Sequence, residues 1–174
     1  VRGVQSAATP RPPPIEEIYE DDVLSYVFVR NVRVCVWRDA PTMTQMRAVG
    51  DGAPLMRKRF HVSAFVNLIV DGTPKFEADV RAEAARQSRE MPGGICTAHC
   101  ILIDGLRASA TRAFMSGVVL LARPRVPTKV FGDLDECIRW MTPMLVASAA
   151  RWTEGEVAAT MRTLSARREP PPGR

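Results

Sequence analysis

Hydrophobic spacing alternates between two periods through most of the chain. Residues 23–30 and 32–38 are β-rich runs, and in the second Val32, Val34 and Val36 alternate with Arg33, Cys35 and Trp37, the period-two pattern of a half-buried strand. Asn31 alone separates them. That break is too short for a standard two-residue hairpin, so the spacing predicts either a hairpin with a blurred turn or one long bent strand. Pro41 then opens a helical stretch with Met43, Met46 and Val49 along one face, loosened at Gly50 and Gly52 and resuming through Leu55 and Met56. Residues 62–70 (VSAFVNLIV) form the strongest strand signal, with the near-continuous apolar character of a strand covered on both faces. Pro74 starts a helix to about Glu90, with Phe76, Val80 and Ala84 four apart, and Pro92-Gly93-Gly94 stops it.

The second half repeats the alternation. Residues 95–104 read as a buried strand ended by Asp104-Gly105, and 106–121 as a helix with Ala110, Phe114 and Val118 on one face. Pro124 and Pro127 break it, and 128–131 form a short strand. Asp133-x-x-Glu136 gives a capping-box-like start to a helix carrying Leu134, Cys137, Ile138 and Met141, with a kink expected at Pro143. A last amphipathic stretch, 154–168, places Val157, Met161 and Leu164 on one stripe and Arg162, Arg167 and Arg168 toward its C-terminus, where cations suit the helix dipole. The order β-β-α-β-α-β-α-β-α, with one more helix, predicts an α/β protein with a mixed, mostly parallel sheet of four to five strands covered by helices.

Composition sets the limits of this picture. With 174 residues, 46% hydrophobic and 25% charged, the chain can bury one ordinary core. Seven of the 14 prolines lie in 1–14 and 170–172, and five acids follow the first group, at Glu16, Glu17, Glu20, Asp21 and Asp22. Residues 1–22 are therefore expected to be a disordered Pro-rich and acidic arm, 23–145 the α/β domain, 146–168 a C-terminal amphipathic helix, and 169–174 a disordered tail. A charge of +5 carried mostly by arginine, with only 6% aromatic residues, does not suit nucleic-acid binding, which needs a basic stripe with stacking rings. Residues 1–22 hold no apolar signal-peptide segment, and the longest apolar run is far short of the ~20 residues that span a bilayer. The four cysteines, Cys35, Cys96, Cys100 and Cys137, are expected to be free buried thiols in a cytoplasmic protein. The first residue, Val1, fits either a GTG start or a fragment.

Few residues offer chemistry. Cys96, His99 and Cys100 are close in sequence, but on a strand the two thiols share one face and the imidazole takes the other, so no metal site is expected. A Cys–His nucleophile pair would need the fold to bring Cys35 or Cys137 beside His61 or His99. No phosphate-binding or dinucleotide loop is present, and no cofactor is expected. Asp71 and Asp104 both end predicted parallel strands, the end of the sheet where ligands of open α/β folds bind, although Asp-Gly is also plain turn chemistry. Arg57-Lys58-Arg59 and Arg123, Arg125 and Lys129 form basic clusters.

The run Phe131-Gly132-Asp133-Leu134-Asp135-Glu136-Cys137-Ile138-Arg139-Trp140, following a short strand, is similar to the closing strand and "F-x-(S/D)-x-x-E-A-x-x-W-L" helix of STAS-fold proteins. Residues 23–145 as a whole resemble that group, the anti-anti-sigma factors and small SpoIIAA-like proteins. The resemblance implies a non-enzymatic regulatory module that binds a protein partner, with a homodimer as one form. It also implies a phosphorylatable serine in a turn after the third strand. The matching stretch, Asp71-Gly72-Thr73-Pro74, has no serine. Thr73 is its only hydroxyl, and it suits a helix N-cap. Ser109 and Thr111 are alternative hydroxyls early in the next helix. Asp71, Thr73, Asp104 and Ser109 are therefore the candidate regulatory or partner surface. Two other classes stay open: a small-molecule or lipid-binding module, marked by a deep apolar cavity, and an enzyme, marked by reactive groups converging in a cleft.

Overall fold

A computed structural model describes residues 10–72, 76–90 and 93–168. Six strands form one sheet in sequential order: β1 (Glu16–Glu20), β2 (Leu24–Val29), β3 (Val32–Trp37), β4 (Ser63–Ile69), β5 (Gly94–Ile101) and β6 (Thr128–Phe131). β1–β2 and β2–β3 pair antiparallel, and the remaining three pairings are parallel. The helices are α1 (Met43–Arg59), α2 (Ala78–Arg89), α3 (Gly105–Ala122), α4 (Leu134–Val146) and α5 (Glu154–Ser165). Three successive crossovers advance one strand in the same direction. Crossovers of one hand then leave α1, α2 and α3 on a single face, and α4 and α5 cover the other.

The two faces follow from the pleat. Val27 and Val29, Val32, Val34 and Val36, Ala64, Val66 and Leu68, and Cys96, Ala98 and Cys100 share one side with the α4 and α5 residues Ile138, Met141, Leu145, Val157, Met161 and Leu164. The alternate residues Tyr26, Phe28, Cys35 and Trp37 face Met46, Val49 and Met56 of α1. A smaller cluster of Ile101, Ile103, Ala108 and Met115 seats α3.

Several expectations change. The sheet has six strands because residues 16–20, expected within a disordered arm, pair with β2 as an edge strand. Their acids are not a solvated leader. Glu16 pairs with Arg59 and Glu20 with Arg38. Asp21 accepts hydrogen bonds from Tyr19 Oη (2.6 Å), Gln45 Nε2 (2.6 Å) and the backbone N–H groups of Val23 and Leu24. An edge strand can carry outward charges while Ile18 and Tyr19 pack inward. Pro13 is buried as well; residues 1–9 and the expected tail, 169–174, lie outside the described residues. The β2–β3 connection is a hairpin whose two-residue loop is Arg30-Asn31, because β2 stops at Val29 opposite Val32. Arg30 takes a left-handed conformation there (φ 49°).

α1 runs unbroken through Gly50, Gly52 and Pro54, opened by a Thr42–Gln45 capping box. Gly52 is where the helix comes closest to β2: a Cβ there would overlap the Tyr26 ring. α4 likewise continues through Pro143. Two units, the Arg30-Asn31 loop and α5, are joined by Trp152. Trp152 is 3% exposed, and its Nε1 donates to Asn31 Oδ1 at 2.8 Å. Arg30 spans the same junction, with both guanidinium nitrogens on Glu156 (2.6 and 2.9 Å). Trp140 is only half-buried, tilted against Phe131 with ring centroids 5.4 Å apart.

Candidate functional site

The helical layer does not close over the middle of the sheet. β4 is a central strand, yet Phe65 and Ile69 on its α1–α3 side keep partial exposure, while Ala64, Val66 and Leu68 on the other side are buried. The cause is visible in the sequence of α2. Val80 is its one buried residue, and the positions over the sheet are Ala84, Gln87 and Ser88. Short and polar side chains leave space that a row of Leu or Phe would fill. The result is a cavity of about 300 Å³ between the sheet, α1, α2 and α3, at the small end of the range for small-molecule sites.

Its apolar walls are Trp37, Phe65 and Ile69 from the sheet, Met46 and Val49 from α1, Phe76 after β4, and Met115 from α3. Its floor also carries polar side chains from three adjacent strands: Arg33 of β3, Ser63 and Asn67 of β4, and Thr97 and His99 of β5. Strand register places Asn67 directly between Cys35 and His99, and Phe65 directly between Arg33 and Thr97.

Two of the polar groups are locked together. Trp37 Nε1 donates to Asn67 Oδ1 at 2.9 Å. That bond fixes the amide, so Asn67 Nδ2 faces His99 Nδ1 at 3.3 Å as a donor. Burial pushes the His99 pKa down to about 4, so the ring is neutral. With Nδ1 accepting, its proton sits on Nε2. The partial surface that His99 keeps belongs to the cavity wall.

Arg33 is different. Its residue is 5% exposed, its guanidinium carbon lies 4.6 Å from the centre of the Phe65 ring, and its Nε–H has no hydrogen-bond partner. Burial raises the Tyr26 hydroxyl and the Cys35 thiol, and the neighbouring Arg33 guanidinium opposes both shifts. Among the described residues no carboxylate pairs with it. The other buried arginine among the described residues, Arg38, also has an unpaired Nε–H, but its terminal nitrogens reach Glu20 and the Asp21 carbonyl. The carboxylates that line the cavity, Asp39, Asp71 and Glu90, are exposed residues at its rim, with Arg57, Arg86 and His61 beside them.

The residues singled out from sequence scatter. Asp71 is exposed at the rim, accepts from the Gly72 N–H (2.7 Å) and stands 3.9 Å from Arg107. Asp104 is the N-cap of α3 but its side chain makes no cap bond. Ser109 is exposed and accepts from Arg112 (3.0 Å). Thr73 lies outside the described residues. Cys96 and Cys100 face α4 and His99 faces the cavity, as the strand pattern predicts. Burial pushes Cys96 up to about 12. Hydrogen bonding to Cys100, with burial, raises Cys137 further. Asn67 separates Cys35 from His99 by two strand spacings, on the order of 10 Å, and Cys137 is on the opposite face. Among the described residues no three His, Cys, Asp or Glu side chains gather as metal ligands, and no helix is long and apolar enough to cross a membrane.

The cavity residues that sequence reasoning passed over are Arg33 and Asn67; His99 was weighed only beside the cysteines, as a metal ligand or nucleophile partner. The available signal was a polar residue interrupting each of three apolar runs: Arg33 in 32–37, Asn67 in 64–70 and His99 in 95–103. Compared with protein-family models, with curated proteins and with solved structures, the chain has no match.

Proposed function

We propose that this protein is a small-molecule-binding α/β module that takes an apolar ligand into the space between its sheet and the α1–α3 layer. The observation that carries this reading is the half-exposed central strand beneath a cavity of about 300 Å³. Leaving Phe65 and Ile69 uncovered forfeits hydrophobic stabilisation of about 25 cal/mol per Å², which a bound apolar ligand would recover. A neutral fluorescent probe, N-phenyl-1-naphthylamine, is expected to bind with a saturable rise in emission. Ala84→Trp, which fills the cavity from α2, is expected to abolish that signal with the fold intact by circular dichroism. An unchanged signal in the filled variant would refute the reading.

A second reading, a STAS-like partner-binding module, draws on a different observation. Leu106, Leu120 and Leu121 of α3 are 91%, 77% and 83% exposed, an apolar surface on the helix that Asp104 opens and Ser109 shares. Replacing Leu120 and Leu121 by Lys separates the two readings: probe binding that disappears in this variant, but survives Ala84→Trp, belongs to α3.

A further inference from the structure

The cavity holds a buried cation, Arg33, with no counter-charge among the described residues, which narrows the ligand class. We propose that the natural ligand is a monoanionic carboxylate with a flat apolar body, its carboxylate seated on Arg33 and its body lying along Phe65 and Trp37. The inference rests on the cavity-binding reading above and adds the chemistry of the ligand.

A charge removed from water is disfavoured unless it is paired and hydrogen-bonded. Arg33 is 95% buried by its 5% exposure, its Nε–H is unpaired, and a guanidinium is a donor only. A carboxylate is the acceptor that fits its planar fork with two parallel bonds. One guanidinium balances one negative charge. A phosphate dianion would leave surplus charge in a low-dielectric site, so the carboxylate is favoured over it. Phe65 already stacks on the guanidinium (4.6 Å), which holds the fork in place. His99 adds to the selection: its Nδ1 takes the Asn67 amide and leaves Nε2–H, which makes no hydrogen bond among the described residues. That group too offers a donor. The rim carboxylates Asp39, Asp71 and Glu90 lie outside, on exposed residues, where water screens them.

The test compares 2-naphthoate with its neutral near-isostere 2-naphthamide by calorimetric titration of the full chain at pH 7. The wild type is expected to bind the acid at least tenfold more tightly. Arg33→Met, which keeps length and removes charge, is expected to erase or reverse that preference while still binding the amide, which shows that the variant is folded. Equal affinity of the wild type for acid and amide would overturn the carboxylate assignment and leave the cavity reading standing, as would a preference that survives Arg33→Met. Tighter binding of 2-naphthyl phosphate than of 2-naphthoate would replace the ligand class. Failure of every naphthyl compound to bind would remove both readings together.

Discussion

Replacing Arg33 by Met should stabilise the free protein. The guanidinium is buried, its Nε–H is unpaired, and no carboxylate partner balances it among the described residues. A buried unsatisfied donor costs about 1–3 kcal/mol, and exchanging buried ionic groups for apolar ones of similar volume gains about 1–4 kcal/mol where it has been measured. Against this stands the stacking on Phe65 at 4.6 Å, a cation–π contact of about 0.5–2 kcal/mol. The balance favours Met by about 1–2 kcal/mol, or roughly 2–8 °C in Tm for a chain of this size. Urea denaturation followed by circular dichroism, without ligand, gives the number directly. A loss of more than 1 kcal/mol would refute the reasoning, because it would mean that Arg33 is satisfied by the fold and has nothing left for a ligand. A gain in stability with a loss of acid binding is the signature of a residue kept for function.

Three further outcomes follow from the packing and the polar row. Trp152→Ala removes a 3%-exposed ring and leaves Asn31 Oδ1 without its donor; it should cost about 3–5 kcal/mol by the same denaturation assay, and a loss below 1 kcal/mol would show that α5 is not anchored there. The folded-state pKa of His99 is depressed to about 4, so between pH 6.5 and 4 the unfolded chain binds more protons than the folded one. Stability should therefore fall by up to about 3 kcal/mol as pH drops through that window; His99→Gln should flatten this part of the profile, and an identical slope in the variant would remove His99 as its source. Glu156 is held down to about 2 by its bonds from Arg30, so its contribution is present above about pH 4.5 and lost toward pH 2. Glu156→Gln should lower stability at pH 7 by no more than about 1 kcal/mol and by nothing at pH 2, and an equal loss at both values would point to packing instead of charge.

The layer architecture was legible because periodicity reports it. β6 and α3 fall where the alternation places them, and the opposed faces of Cys96 and His99 follow from the pleat alone. The edge strand was not legible. Five acids in seven residues, 16–22, resemble a solvated leader, and only the fold brings Arg38 and Arg59 to Glu20 and Glu16. The candidate site was half legible. Val-Arg-Val-Cys-Val-Trp shows that Arg33 shares a face with Cys35 and Trp37, but alternation normally puts such a face in water. That α1 covers that face, and that Ala84, Gln87 and Ser88 of α2 fail to fill the space beyond it, depends on how three crossovers stack. Trp140, the ring that stands out in the run 131–140, is only half-buried. The ring that ties the last helix down is Trp152, 3% exposed, on a loop whose role depends on a contact with Asn31, 121 positions away in sequence.

The most direct test uses the methionine methyl groups, which sit on both sides of the sheet. Met46 and Met115 line the cavity, whereas Met141 and Met161 lie in the core beneath α4 and α5. With 13C-methyl methionine, titration of 2-naphthoate should shift the Met46 and Met115 resonances by ring current and leave Met141 and Met161 in place. Shifts confined to Met141 and Met161, or no shift at saturating naphthoate, would contradict a ligand site between the sheet and the α1–α3 layer.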